Sequence, residues 1–123
     1  MKRILVVEDV EFNRDLMVQL LEEEYEVLTA VDGQEGVERA QRDRPDLILM
    51  DLSLPRLNGW EATRRIKQDP ALRHIPIIAV SAHAMTGDEA RARESGCDDY
   101  ISKPLDEDEL FAKLRRILGT DRS

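Results

Sequence analysis

The stretch PDLILMDLSLPRLNGWEA, residues 45–62, decides how the chain folds. Leu47–Met50 is an apolar run without polar alternation, the pattern of a strand covered on both faces in a parallel sheet. An acid, Asp51, closes the run, and a helix is expected to start around Asn58–Trp60 and to stop before Pro70. Working outward, comparable short apolar runs fall at Ile4–Val7, Val27–Ala30, Ile77–Val80 and Tyr100–Ile101. Parallel neighbours require crossover connections, and the longer amphipathic stretches between the runs supply them as helices. The expectation is an α/β fold of five βα units, (βα)₅, in which a five-stranded parallel sheet is sandwiched between helices in three layers.

The helical stretches differ in strength. In the first, Leu16, Met17, Leu20 and Leu21 recur at helical spacing and are expected to pack on the sheet. In the last, Leu110, Leu114, Ile117 and Leu118 form one stripe with Phe111 beside it, and Asp106 followed by Glu109 resembles a capping box. The second helix follows the Asp32-Gly33 turn and ends near Pro45. The fourth stretch, Gly87 to Ser95, has little more than Ala90 and Ala92 to bury, and is expected to be the most easily displaced.

With 123 residues, 41% of them apolar and 36% charged, the chain has material for one core beneath a heavily charged surface and no room for a second effector domain. One domain over residues 1–123 is expected, with residues 119–123 a frayed tail. A net charge of −8 opposes nucleic-acid backbones, and no basic recognition helix is visible, so direct DNA binding is not expected. No apolar run approaches the roughly 20 residues that span a bilayer, and no signal segment precedes the acids of MKRILVVED. A cytoplasmic protein without a membrane segment is the expectation. Cys97 is alone, which excludes an intrachain disulfide and a cysteine metal cluster and leaves it the role of a small apolar residue.

In an open parallel sheet the carboxyl ends of the strands form the ligand-binding rim. That rim receives Glu8 and Asp9 after the first run, Asp51 after the third, Ser81 after the fourth, and Lys103 with Pro104 after the fifth. Each alone has an ordinary explanation as a cap, a solvated acid or a turn. Their convergence does not. Three carboxylates brought together repel unless protons or a cation compensate, so the cluster suits a hard divalent ion. Mg²⁺ fits best because it prefers oxygen ligands and takes one or two carboxylates together with phosphate oxygens. Calcium-loop spacing is missing, and so are the nitrogen and sulfur ligands of a zinc site. Such a site poises one carboxylate as a nucleophile toward a phosphoryl group whose oxygens are neutralised by the metal, Lys103 and Ser81.

The segments ILVVED, PDLILMDLSLPRLNGWEA, IPIIAVSAHA and GCDDYISKP occur together in the order and at the intervals of one family. From about Lys2 to Leu118 the chain resembles the receiver domain of two-component response regulators, the CheY-like family. The resemblance implies a flavodoxin-like form of the (βα)₅ sandwich. It implies that Asp51 is the phosphoacceptor, that Asp9 and Asp51 contact Mg²⁺, that the backbone carbonyl of Ser53 completes the protein ligands, and that Glu8 acts through a metal-bound water. Lys103 and Ser81 would hold the phosphoryl group. Pro104 would follow a cis peptide bond, and Asn58-Gly59 would form a turn in which glycine takes a positive φ. Tyr100 and Ser81 would form the switch, Ala82 leaving room for the ring; an amphipathic strand-end aromatic with its hydroxyl in water is the other reading of Tyr100. Glu8 stands where the family more often has Asp, and Ser81 where Thr is about as usual. Ser53 and His83 occupy positions that, in this family, tune the lifetime of the phosphorylated state. His83 has no second nitrogen ligand near it in sequence and reads as a loop side chain rather than a metal ligand.

The implied function is a phosphorylation-activated signalling switch in a two-component system or phosphorelay, not an enzyme with an external substrate. A phosphohistidine on a sensor histidine kinase or histidine phosphotransfer protein would donate to Asp51. The surface formed by the fourth helical stretch, the fifth strand and the last helix would then change for a downstream effector protein or kinase. The helix-one face near Phe12, Asn13 and Leu16 flanks the acid pair and is the expected docking place of the donor; core packing is the competing claim on Leu16 and Leu20. A rival from another class is a Mg²⁺-dependent phosphatase with an aspartyl-phosphate intermediate, but such enzymes carry a second Asp two residues after the nucleophile, where this chain has Ser53. A pseudo-receiver would have no need to gather repelling carboxylates. Because the chain starts at Met1 and ends soon after the last helix, a free single-domain regulator is expected, with a receiver fragment of a larger hybrid kinase or regulator as the alternative.

Overall fold

A computed structural model describes residues 1–52, 58–81, 90, 93–103 and 105–119. The apolar runs are strands: β1 (Arg3–Val7), β2 (Glu26–Ala30), β3 (Leu47–Asp51), β4 (Ile77–Ser81) and β5 (Asp99–Ser102). Each is a residue or two longer than its apolar run, so Asp51 and Ser81 occupy the last positions of their strands. All pair in parallel, in the order β2-β1-β3-β4-β5. The helices among the described residues are α1 (Glu11–Leu21), α2 (Gly33–Asp43), α3 (Gly59–Gln68) and α4 (Glu107–Leu118).

Successive side chains of a strand face opposite ways, which divides each apolar run between two cores. On one face, Leu5, Val7, Ile48, Met50, Ile77 and Ala79 meet Val37 and Ala40 of α2 and Ala62 and Ile66 of α3. On the other, Ile4, Val6, Leu47, Leu49, Ile78 and Val80 meet Met17 and Leu21 of α1 and Leu110 and Leu114 of α4. Both faces are dry, which is why β3 and β4 show no polar alternation. Burying each large aliphatic side chain contributes about 1.5–3 kcal/mol, so the sheet is the rigid layer of the molecule.

The starts of α2, α3 and α4 follow side-chain caps that satisfy otherwise unpaired N–H groups, whereas α1 starts after Val10 with no side-chain cap. Asp32 accepts from Glu35 N at 2.8 Å and Asn58 from Glu61 N at 3.0 Å. Asp106 accepts from Asp108 N and Glu109 N, the N-cap half of the expected box. Cys97 is buried as a small apolar residue, and burial pushes its thiol up to about 11.

One expectation for α1 needs correction. Met17 and Leu21 are buried and Leu20 partly so, but Leu16 is 49% exposed and does not belong to the core. Residues at i and i+4 stack on one face, so the Met17–Leu21 pair takes the sheet-facing line and Leu16 is turned toward the cleft beyond the strand ends. Of the expected helix at Gly87 to Ser95, Ala90, Arg93 and Glu94 are helical, while residues 87–89 and 91–92 lie outside the described residues, as does the expected fraying of Thr120–Ser123.

Asp99, the first residue of β5, ties that strand to α4. Lys113 Nζ donates to its Oδ1 at 3.0 Å, and Arg116 pairs with its Oδ2. Burial alone would raise the carboxyl's pKa, but the Tyr100 N–H and the two cations outweigh it and hold it below the ordinary aspartate value. A carboxyl whose folded pKa is depressed adds stability above its unfolded pKa and loses it as pH falls through the folded value. Asp99→Asn is therefore expected to lower stability at neutral pH, and the gap from wild type in urea unfolding is expected to close as pH falls from about 5 toward 2. A gap independent of pH would remove the ion cluster from the account.

Candidate functional site

The connections after β1 and β3 leave toward opposite sides of the sheet, which opens a crevice at its carboxyl edge. Glu8 and Asp9 follow β1 and Asp51 ends β3, so both flank that crevice. Backbone bonds anchor the rim. Glu8 N donates to Ala30 O at 3.0 Å, Leu52 N to Val80 O at 3.0 Å, and Lys103 N to Ser81 O at 2.7 Å. Four functional side chains are thus carried by the ends of the sheet's own hydrogen-bond ladder.

One carboxylate oxygen from each of Glu8, Asp9 and Asp51 lies within 4.8 Å of the other two. Glu8 and Asp51 are each only 5% exposed, while Asp9 is open to solvent. Lys103 Nζ donates to Glu8 Oε1 at 2.9 Å and to Asp51 Oδ2 at 3.3 Å. Desolvation, the hydrogen bond with Glu8 and that residue's charge raise the Asp9 carboxyl above the ordinary range. Burial works against the charged form of Lys103, but the hydrogen bond to Glu8 and the charges of Asp51 and Glu8 win, and its pKa stands above the usual lysine value.

The remaining residues are placed unevenly. Ser81 is buried at the end of β4, in register with Ser102. Tyr100 is half-buried and packs against the core on the α2 and α3 side. Ser53, Ala82, His83 and Pro104 lie outside the described residues.

Gly59 departs from expectation. It is the first residue of α3, capped by Asn58, and is not among the positive-φ glycines. Its role is steric. A Cβ there would stand 2.2 Å from Asp51 O and 2.7 Å from Leu52 Cα, so only glycine lets the start of α3 press against the strand that ends in Asp51.

Sequence reasoning did not foresee a cavity of about 280 Å³ beside the acids. It passes from Glu8, Asp51 and Lys103 inward between α1 and the sheet, past Leu16, Met17, Leu49, Val80 and Leu105. Leu105 follows Lys103 by two residues but lies far in sequence from the α1 and β3 side chains it faces across the cavity, so no local signal announces that wall.

The donor set suits a hard divalent cation. It is all oxygen, and its three carboxylates are balanced by one ammonium among the described residues, which leaves negative charge to be neutralised. No helix among the described residues is long and apolar enough to cross a membrane.

Comparison with known proteins converges on the same features. The family model for the response regulator receiver domain matches residues 4–115. The polar-differentiation response regulator DivK of Brucella anthropi is 45% identical over 119 residues, covering 96% of this chain and 97% of that protein. Among solved structures, the receiver domain of a Pseudomonas aeruginosa sensor histidine kinase, with magnesium coordinated in its active-site cleft, is 39% identical with a TM-score of 0.89, covering 97% of this chain and 98% of its own. Vibrio cholerae chemotaxis protein CheY4 is 26% identical with a TM-score of 0.88, over 95% of this chain and 98% of that one.

Gly59→Ala tests the close approach at the acid cluster. The variant is expected to lose roughly 2–4 kcal/mol in urea unfolding and to bind Mg²⁺ more weakly by calorimetry, because relieving the clash must move Asp51. Wild-type values in both measurements would disprove the steric role.

Proposed function

This chain belongs to the receiver domain family of response regulators, phosphorylation-activated switches of two-component systems, and from that premise we propose that Asp51 is its phosphoacceptor. One observation carries the assignment. The buried Asp51 carboxylate shares a cluster with two other acids while the Lys103 ammonium hydrogen-bonds to it, so fixed positive charge stands where phosphoryl oxygens would arrive.

An Asp51 carboxylate oxygen attacks the phosphorus of a phosphohistidine; the new O–P bond forms as the donor's N–P bond breaks, and the imidazole nitrogen keeps the electron pair. Lys103 holds one phosphoryl oxygen by charge and Ser81 donates its hydroxyl proton to another. Asp9, Asp51 and the Ser53 carbonyl would hold Mg²⁺, with Glu8 reaching it through a water. When bound, the ion supplies charge neutralisation to the carboxylates and the phosphoryl oxygens.

The donor is a histidine kinase or histidine phosphotransfer protein. Val10, Phe12 and Leu16 are exposed apolar residues beside the acids, and such a patch favours docking of a partner at the start of α1. After transfer, Ser81 and Tyr100 follow the phosphoryl oxygens and bias the face formed by β5, α4 and the segment preceding β5 toward an effector protein. A shift from mostly inactive to mostly active takes several kcal/mol, a sum that charge-assisted bonds to a phosphoryl group supply. The activity is that of a switch that labels itself and hydrolyses its own acyl phosphate.

Incubation with a small acyl phosphate and Mg²⁺, read by intact mass, is expected to show one phosphoryl adduct. Asp51→Asn and removal of Mg²⁺ by chelation are each expected to abolish it. An unlabelled wild type under saturating donor, or equal labelling of Asp51→Asn, would overturn the assignment.

A further inference from the structure

Glu8 is fixed at every polar group that the rim can reach. Its N–H donates to Ala30 O at 3.0 Å and its carbonyl accepts from Arg14 Nη1 at 3.0 Å. Its side chain then divides: Oε2 accepts from Val10 N at 3.2 Å and Oε1 from Lys103 Nζ at 2.9 Å. Of the two carboxylates that Lys103 touches, Glu8 is the nearer, since Asp51 Oδ2 stands at 3.3 Å. The two members of the acid pair are therefore unequal. Asp9 is exposed, while Glu8 is buried and accepts from two protein donors.

We propose that Glu8 is the positioning residue for Lys103: braced on the Val10 N–H, its carboxylate holds the lysine ammonium beside Asp51, within hydrogen-bonding reach of a phosphoryl oxygen carried there. The proposal rests on the reading of Asp51 as acceptor and adds to the water-mediated role of Glu8, because a carboxylate has about four lone-pair sites, and Val10 N, Lys103 and the Asp9 carboxyl leave one for a water. Side-chain length is essential to it. An aspartate on the same backbone is shorter by one carbon–carbon bond, about 1.5 Å, so with Val10 N and Lys103 Nζ where they stand it would have to give up one of the two contacts or draw the lysine away from Asp51. A lysine left to itself is a flexible four-carbon stem that must be ordered anew for each transfer; one held by a buried partner has already lost that freedom.

Two measurements test the proposal. In the metal-free protein, a proton–nitrogen correlation spectrum of lysine ammonium groups at low temperature, with Lys103 assigned through Lys103→Met, is expected to show a slowly exchanging Lys103 signal. That signal is expected to disappear in Glu8→Asp, which keeps the charge and loses the reach, and to shift in Glu8→Gln, which keeps the reach and loses the charge. In labelling by a small acyl phosphate at saturating Mg²⁺, Glu8→Gln is expected to slow the reaction roughly tenfold, and the Glu8→Gln, Lys103→Met double variant to be no slower than Lys103→Met alone. An unchanged Lys103 signal in Glu8→Asp, or slowing by Glu8→Gln that multiplies with that of Lys103→Met, overturns the positioning role. The spectrum is independent of labelling, so a wild type that shows the signal yet accepts no phosphoryl group defeats the assignment of Asp51 and leaves the Glu8 and Lys103 pairing standing.

Discussion

Like charges gathered in a poorly solvated crevice set the terms for this structure. Carboxylate oxygens of Glu8, Asp9 and Asp51 are brought to within 4.8 Å of one another by two backbone segments at the ends of β1 and β3, and Lys103 reaches across from a third to compensate part of the charge. Mutual repulsion at that spacing is strong where water is excluded, so the cluster stores a standing preference for additional positive charge. A divalent cation answers that preference directly. Under the proposed function, the same electrostatic state disfavours an incoming phosphoryl group unless such a cation accompanies it.

The rest of the fold exists to hold that arrangement still. Two apolar cores, one on each face of the sheet, lock the strand ends against sliding, because a slip of one residue would turn every side chain to the wrong face. Gly59 lets α3 begin against the backbone of Asp51 itself, so β3 and the helix after it are packed as a unit. On the far side of the sheet, Asp99 joins β5 to α4 through Lys113 and Arg116. Tyr100 lies one residue beyond this ion cluster and Lys103 four residues beyond it, which places the switch candidate and the phosphoryl-binding candidate on one short strand and its immediate continuation. Motion at one end of β5 therefore has a direct mechanical route to the other.

Much of this was legible along the chain. Unalternating apolar runs announced strands buried on both faces, and β3 and β4 lie where Leu47–Met50 and Ile77–Val80 placed them. The acids and the lysine were legible too, because residues at the carboxyl ends of parallel strands must converge whatever the side chains between them. Leu16 was misread, since helical spacing shows which residues can share a face and not which side of that face meets the sheet. Gly59 was assigned to the right place for the wrong reason: a glycine in sequence advertises conformational freedom, whereas what matters here is the missing Cβ beside Asp51 O.

The linear sequence by itself determined the strand and helix order, the parallel sheet and the set of charged residues at its edge, because hydrophobic periodicity and chain connectivity are local properties that one chain carries openly. Only the tertiary structure decided how those charges are shared. That Lys103 sits nearer Glu8 than Asp51, that Asp9 is left open to solvent while Glu8 is buried, and that a cavity runs inward past Leu105 are facts about atoms far apart along the chain, Glu8 and Lys103 by ninety-five residues. Distances of that kind follow from how the layers pack, and packing is settled by all the side chains together.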